Sequence, residues 1–428
     1  MAKVIRKHWD AGHWGTDASS GVARRDRRSC DYDAYVPDTL IGRSIFLGGD
    51  TAADVADAER AIAVFDAHAT SLLDTEALAR ILLRAESVAS SRIEGLEVGA
   101  RRLLRAEAAI KLGERPSDVT ATEVLANINA MTSAVRGVSP ADLISVDTLL
   151  SFHRHLLSGT RLHAYAGTVR SEQNWIGGSS YNPCAASFVP PPPEFVRELL
   201  EDLCDFSNGE SIPAVAQAAI AHAQFETIHP FADGNGRTGR ALIHLILRRR
   251  GLATRVLPPV SLVLATWADD YILGLEATRY RGPATSAAAQ AGIDLWVGRF
   301  AAACRRAVGD AADYEERTRL LQESWRDRLG AVRAKSAVDA LISILPGAPI
   351  VTVSSAAGLS GRSFKAANDG IARLADAGIV RQISVGRRNR AFEAPEVIEE
   401  FTALERRLAS PAGDTRFSRP SRRVPRRS

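Results

Sequence analysis

Lysine is scarce in this chain: 5 Lys stand beside 49 Arg among 428 residues. With alanine abundant, that bias reads as GC-rich coding and carries no function. Cysteine is scarce too. Cys30, Cys184, Cys204 and Cys304 are far apart and form no CxxC pair. That spacing indicates neither a zinc site nor a disulfide framework, so a reduced, cytoplasmic setting is expected. No apolar run reaches the roughly eighteen residues of a membrane helix, so no membrane contact is expected. The first ten residues carry Lys3, Arg6, Lys7 and Trp9 without an apolar stretch, so no secretory signal is expected. The phosphate loop GxxxxGK[ST] is missing, which excludes an ordinary P-loop NTPase. No repeat of roughly 20–50 residues occurs.

What is present is ordinary for a globular protein, with 46% hydrophobic and 24% charged residues. At roughly 100–200 residues per domain, two to four domains are expected. The net charge of +4 is unevenly placed. Residues 1–332 hold 37 basic against 41 acidic residues, residues 333–409 hold 11 against 8, and residues 410–428 hold 6 Arg against one Asp. A basic end suits a polyanion, although on charge alone a solvated tail is the simpler reading.

Residues 1–50 are polar and weakly periodic, so irregular structure is expected there. Helical periodicity begins at Thr51 and runs to about 68, with apolar positions at Val55, Ile62 and Phe65. Asp74 suits the N-cap of a second helix through Ile93. Further helices are expected at 102–111, 120–135, 145–158, 193–206, 213–228, from about 239 onward, at 266–279 and at 285–328. Residues 167–193 break the pattern with Gly177-Gly178, Asn182-Pro183 and Pro190–Pro193, which reads as a hairpin or loop. The fold class is therefore mainly α: a helical core with a β-hairpin flap. Residues 333–409 add a small α+β domain: helices at 335–344, near 353–358 and at 362–377, then strands at 379–383 and 391–393. That is winged-helix order. The Pro/Arg/Ser-rich residues 410–428 are expected to be disordered.

The densest chemistry lies in His229-Pro230-Phe231-Ala232-Asp233-Gly234-Asn235-Gly236-Arg237-Thr238-Gly239-Arg240. Gly234, Asn235 and Gly236 sit between two helices and turn the backbone so that amides converge at a helix start. Such amides and the helix dipole bind anions. Arg237 and Arg240 are three apart on that helix and suit phosphate clamping. Asp233 is a hard carboxylate placed to hold a phosphate-bound Mg²⁺. His229 suits a general base. Together these groups point to phosphoryl or nucleotidyl transfer. His153 and His155 are two apart, point to different helix faces and read as structural.

The twelve residues resemble the HxFx[D/E]GNGRxxR motif of the Fic family at every specified position. The resemblance implies an all-helical core that transfers AMP from ATP to a Ser, Thr or Tyr hydroxyl of a protein. It implies that His229 takes the hydroxyl proton and Asp233 holds Mg²⁺ on the phosphates. Gly234, Asn235 and Gly236 would form the anion hole, Arg237 would grip the phosphates and Arg240 would orient the γ-phosphate. Ser90-Ser91-Arg92-Ile93-Glu94-Gly95 resembles the family's inhibitory [S/T]xxxE[G/N] motif, with Ser90, Glu94 and Gly95 at the specified places. It implies restraint in cis, with Glu94 paired to Arg240 where the γ-phosphate would sit. In some relatives the same glutamate serves AMP removal, so that direction stays open.

Gly167-Thr168-Val169-Arg170 with Gln173, Asn174, Trp175 and Ile176 resembles the flap of bacterial Fic proteins, which would align a target segment by strand addition. Tyr271 is a candidate adenine neighbour or a core residue. The resemblance covers most of the chain: residues 51–115 as an N-terminal helical region with the inhibitory helix, 116–330 as the catalytic core, and 333–409 as the winged helix that bacterial relatives often carry. In that last segment Arg362, Lys365, Arg387, Arg388 and Arg390 are candidate contacts to duplex DNA. A DNA-binding regulator with a self-modifying core is thus a further reading. A protein substrate, including the chain itself, and a homodimer are compatible with the resemblance; no residue pattern requires the dimer.

Overall fold

The structure is a computed structural model that describes residues 1–10, 28–68, 75–111, 113–114, 116–385 and 389–407. In chain order the elements are β1 (Lys3–Trp9), β2 (Cys30–Val36), α1 (Gly49–His68), α2 (Thr75–Ile93), α3 (Ala100–Lys111), α4 (Val119–Gly137), α5 (Val146–Leu157), α6 (Pro193–Asn208), α7 (Ala214–Ile228) and α8 (Asn235–Arg249). Then come α9 (Val260–Thr266), α10 (Ala268–Ala277), α11 (Ala287–Leu329), α12 (Ala337–Ile344), β3 (Ile350–Val351), α13 (Val353–Ser360), α14 (Phe364–Asp376), β4 (Arg381–Val385), β5 (Asn389–Glu393) and α15 (Pro395–Arg407). The mainly helical class holds. Asp74, Arg387, Arg388 and the tail 410–428 lie outside the described residues.

Three expectations are corrected. Residues 1–50 are not wholly irregular, because β1 and β2 pair antiparallel from Lys3↔Val36 to Trp9↔Cys30. Their partners are 21 to 33 residues apart and their alternation is weak, so pairing rather than local pattern makes the strands. The second correction concerns the cysteines: Cys30 and Cys184 form a disulfide across 154 residues, while Cys204 and Cys304 are free and buried. Wide sequence spacing hid a pair whose Cα atoms the fold brings to 5.7 Å. Third, α9, β3 and α15 lie where no element is expected; each is short or opens behind proline, which blurs its period.

The chain divides into two compact units, neither continuous in sequence. The first comprises Met1–Ala56, Ala141–Arg250 and Ile272–Ala301. Its centre is α7, all of whose residues are buried. Six of its fifteen residues are alanine, and such small side chains let α6 and α8 approach closely. The Trp296 indole donates to the Ala219 carbonyl at 2.7 Å, satisfying its only polar group in that core.

The second unit comprises Asp57–Pro140, Gly251–Tyr271 and Ala302–Ser428. Here α2 packs on α4 and α9. Asp118 caps α4 by accepting from the Ala121 amide. The C-terminal elements form helices α12 to α14 and an antiparallel sheet of order β3-β5-β4. Their apolar residues fall into two clusters. Ile350, Ala391, Ile398, Phe401 and Leu404 share one apolar cluster with Ile81, Ala85 and Ala89 of α2 and Leu104 of α3. A second cluster, around Trp325, Leu341, Ile371 and Leu374, fills the space among α11, α12 and α14. Removing residues beyond 332 would therefore strip apolar cover from α2 and α3.

Candidate active site

The centre of the first unit's chemistry is the turn between α7 and α8. Helix α7 ends as His229 takes the left-handed conformation, φ 49°. A non-glycine residue pays on the order of 1 kcal/mol for that geometry, so its surroundings must hold it. They do. The His229 carbonyl accepts from Arg170 Nε at 2.9 Å and from Asn174 Nδ2 at 3.2 Å. The next residues are fixed by Asn235, whose Oδ1 accepts from the Phe231 amide while its Nδ2 donates to the Phe231 carbonyl, both at 2.8 Å. The Asn235 side chain thus braces the loop, and only its backbone amide remains for an anion.

Gly234 then opens α8 in the left-handed region, φ 77°. A Cβ there would meet Leu156 Cδ2 at 3.0 Å, so both backbone angle and space demand glycine. The first intrahelical bond runs from the Thr238 amide to the Gly234 carbonyl at 3.0 Å, so the amides of Asn235, Gly236 and Arg237 precede the ladder. Arg237 and Arg240 are 5% and 1% exposed, so both guanidinium stems are set by packing. Arg237 Nη2 pairs with Asp233 Oδ1 at 2.8 Å. Gly239 lies against α7: a Cβ there would meet Glu226 Oε1 at 2.6 Å and Phe225 Cδ1 at 2.9 Å.

His153, on α5, has a structural part in the same loop. Its ring stacks on Phe231 with centroids 3.9 Å apart. The Gly167 amide donates to its Nδ1 at 3.1 Å, so its Nε2 carries the proton and donates to the Asp233 carbonyl at 3.0 Å. Burial pulls its pKa from 6.5 to about 4, against the raising effect of the Asp233 carbonyl and with help from Arg237. His155 bonds its own helix at the Ser151 carbonyl and has no part in the site. His222, wholly buried on α7, is pulled down to about 3 by burial first and by Arg240 second.

The flap residues fall into two roles. Ile176 pairs with Phe188, with the Ile176 amide donating to the Phe188 carbonyl at 2.8 Å. Gln173 Nε2 donates to the carbonyls of Asn174 and Pro190, and Trp175 packs edge-on against Trp9 of β1. Gln173 therefore holds the flap's own backbone, while Asn174 Nδ2 donates to the His229 and Phe231 carbonyls at 3.2 and 3.0 Å. Arg170 does more. Besides His229, it donates to the carbonyls of Ile228, Glu172 and Pro191, at 3.3, 3.0 and 2.6 Å. Burial lowers its pKa to about 10, which still leaves it cationic at neutral pH. The sequence marked Arg170 only as part of the flap; its place as the one basic residue in the Gly- and Pro-rich stretch 167–193 was the available signal.

Ser90, Glu94 and Gly95 belong to the second unit. Helix α2 stops at Ile93, and the Glu94 amide bonds the Ser91 carbonyl at 3.1 Å in a tightened last turn. Gly95 is left-handed, φ 79°, as a helix C-cap requires. Glu94 is exposed and Ser90 is fully buried, so the two do not present one continuous helix face. Asn127 of α4 anchors this turn through Nδ2, which donates to the Ser87 carbonyl at 2.8 Å and to Ser91 Oγ at 3.0 Å. Nothing in the sequence pointed to Asn127. Tyr271 is 7% exposed, as a core residue would be. Among the DNA candidates, Arg362 donates to the Lys335 carbonyl, while Lys365 and Arg390 are exposed on α14 and β5.

Asp233 is the residue that could hold a metal. Its side chain is 45% exposed at the mouth of the amide turn. Among the described residues no group of three or more His, Cys, Asp or Glu could hold an ion. A single hard carboxylate beside a phosphate site fits Mg²⁺, which takes the rest of its shell from phosphates and water.

Residues 143–247 match the Fic/DOC family, and residues 52–136 match the Fic/DOC family N-terminal region. The chain thus carries a Fic/DOC family domain behind a Fic/DOC N-terminal domain. Over 133 residues it is 41% identical to protein adenylyltransferase fic-1 of Caenorhabditis elegans, covering 30% of this chain and 23% of that protein. Over 68 residues it is 46% identical to the probable protein adenylyltransferase aq_aa38 of Aquifex aeolicus, covering 16% and 21%. The chain thus spans less than a quarter of the length of these curated relatives. A solved Fic family protein from Desulfovibrio desulfuricans shares the fold, with a TM-score of 0.50 and 22% identity over 82% of this chain and 97% of that one. No helix among the described residues is long and apolar enough to cross a membrane.

Proposed function

We propose that the chain is an adenylyltransferase that moves AMP from ATP to a hydroxyl of a protein. The observation that carries this reading is the turn from His229 to Arg240. It joins a left-handed histidine, a carboxylate, free-standing helix amides and two buried arginines within twelve residues. The curated relatives named as protein adenylyltransferases support the same class. In this reading His229 takes the proton of the target hydroxyl and the hydroxyl oxygen attacks the α-phosphorus. The bond from that phosphorus to the bridging oxygen breaks, and pyrophosphate leaves. The α8 amides with Arg237 and Arg240 offset charge on the phosphates. Asp233 would hold Mg²⁺, which supplies charge neutralisation at the phosphates when bound.

Glu94 is the proposed restraint. The left-handed Gly95 and the Asn127 anchor support a fixed position for the turn that carries it. The test uses ATP labelled at the α or the γ phosphorus. Glu94→Gly is expected to raise transfer of α label to protein, and His229→Ala to abolish it. Label from the γ position alone would replace AMP transfer by phosphotransfer. Loss of AMP removal from a modified target in Glu94→Gly would assign the reverse reaction. Duplex DNA is not advanced as a partner, because Arg362 spends its guanidinium on a carbonyl and Arg373 donates to the carbonyls of Leu329 and Ala331.

A further inference from the structure

The end of α7 poses an accounting problem. A helix leaves its last carbonyls without intrahelical partners and carries partial negative charge there. The Ile228 and His229 carbonyls are two of these, and the second belongs to a residue in the left-handed region. One buried side chain answers both. Arg170 is 8% exposed and reaches the Ile228 and His229 carbonyls through Nη2 and Nε. The same guanidinium reaches Glu172 and Pro191, which enter and leave the flap. Its own amide donates to the Pro230 carbonyl at 2.9 Å, so the loop beyond His229 is held from the same residue.

We propose that Arg170 is the positioning residue for His229: it caps α7, fixes the left-handed peptide that aims the imidazole, and ties both arms of the flap to that peptide. The inference rests on the reading of His229 as base. A planar fork with five donors can meet four carbonyls at once, whereas an ammonium with three donors in tetrahedral array cannot. Flap position and base direction are then joined through this guanidinium, with Asn174 as a second, single-carbonyl donor to the His229 peptide. A flap displaced by a poorly fitting target would pull on the His229 peptide, so alignment of the target and readiness of the base become linked.

The test places Arg170→Ala and Arg170→Lys in the Glu94→Gly background. Both are expected to lower kcat for AMP transfer, Arg170→Ala by on the order of 100-fold, as misplacement of a reacting group does. KM for ATP should stay near that of the parent, because the α8 amides and arginines remain. Millimolar guanidinium chloride should restore part of the lost turnover in Arg170→Ala and none in His229→Ala. Full kcat in Arg170→Lys would overturn the proposal. So would a loss in Arg170→Ala that follows the thermal midpoint, raises KM for ATP and ignores guanidinium. Amide hydrogen exchange is the second measurement and needs no reaction. Exchange over residues 225–233 and 171–191 should rise in Arg170→Ala and fall again with guanidinium, with α4 unchanged; no rise would overturn the proposal. If Glu94→Gly itself makes no AMP product, the reading of the reaction fails, and hydrogen exchange still decides the role of Arg170.

Discussion

Acid should loosen the loop around Asp233 through a single imidazole. His153 is fully buried and must stay neutral, because the Gly167 amide can only donate and so claims Nδ1 as an acceptor. A second proton on the ring would face that amide and break the bond. Its folded pKa of about 4 lies below the free value of 6.5. As pH falls, the unfolded chain takes the proton first. The stability contributed is therefore whole above about pH 6.5, declines as pH falls, and is lost by about pH 4. Over that interval, at about 1.4 kcal/mol per unit, the loss amounts to about 3 kcal/mol from this residue. The assay has two arms. In a histidine-labelled sample, the NMR resonance missing from His153→Gln should titrate near pH 4. In urea unfolding at pH 7 and pH 4.5, His153→Gln should lose about 2–3 kcal/mol less than the parent on acidification. A His153 midpoint above pH 6, or equal acid sensitivity of the two proteins, would refute the reasoning.

Two further outcomes follow from packing and covalent structure. Gly239→Ala puts a methyl against Glu226 and Phe225 of α7; overpacking of that kind costs about 1–3 kcal/mol, less about 1 kcal/mol gained in helix propensity. A lower thermal midpoint with reduced turnover is expected, and an unchanged midpoint would mean that α8 shifts freely on α7. Alkylation of the unfolded, unreduced protein should label two thiols, Cys204 and Cys304, and four after reduction. Cys30→Ser should cost about 2–5 kcal/mol through the lost constraint on a long loop. Four labelled thiols without reduction would show that the Cys30–Cys184 bond does not form.

Much of the site was legible in the sequence because it is local. From His229 to Arg240 the chain turns once between two helices, so spacing alone brings histidine, carboxylate, amides and one arginine face together. The same local logic made the helices readable. What spacing could not show was which groups hold that turn. Asn235 looks like an anion ligand in sequence, yet its side chain is occupied by both polar groups of Phe231. Arg362 looks like a DNA contact, yet it finds a carbonyl more than twenty-five residues away.

The sequence by itself determined the helical class, the glycine-rich turn between α7 and α8 and the helix that leads to Glu94, since each rests on a period or spacing within about twenty residues. Only the tertiary structure decided that β1 and β2 pair, that Cys30 meets Cys184, and that the C-terminal elements share a core with α2. It alone decided that Arg170 and His153 brace the His229–Gly234 loop. Those outcomes depend on contacts between residues remote in sequence, where burial and hydrogen-bond satisfaction select partners that no local pattern encodes.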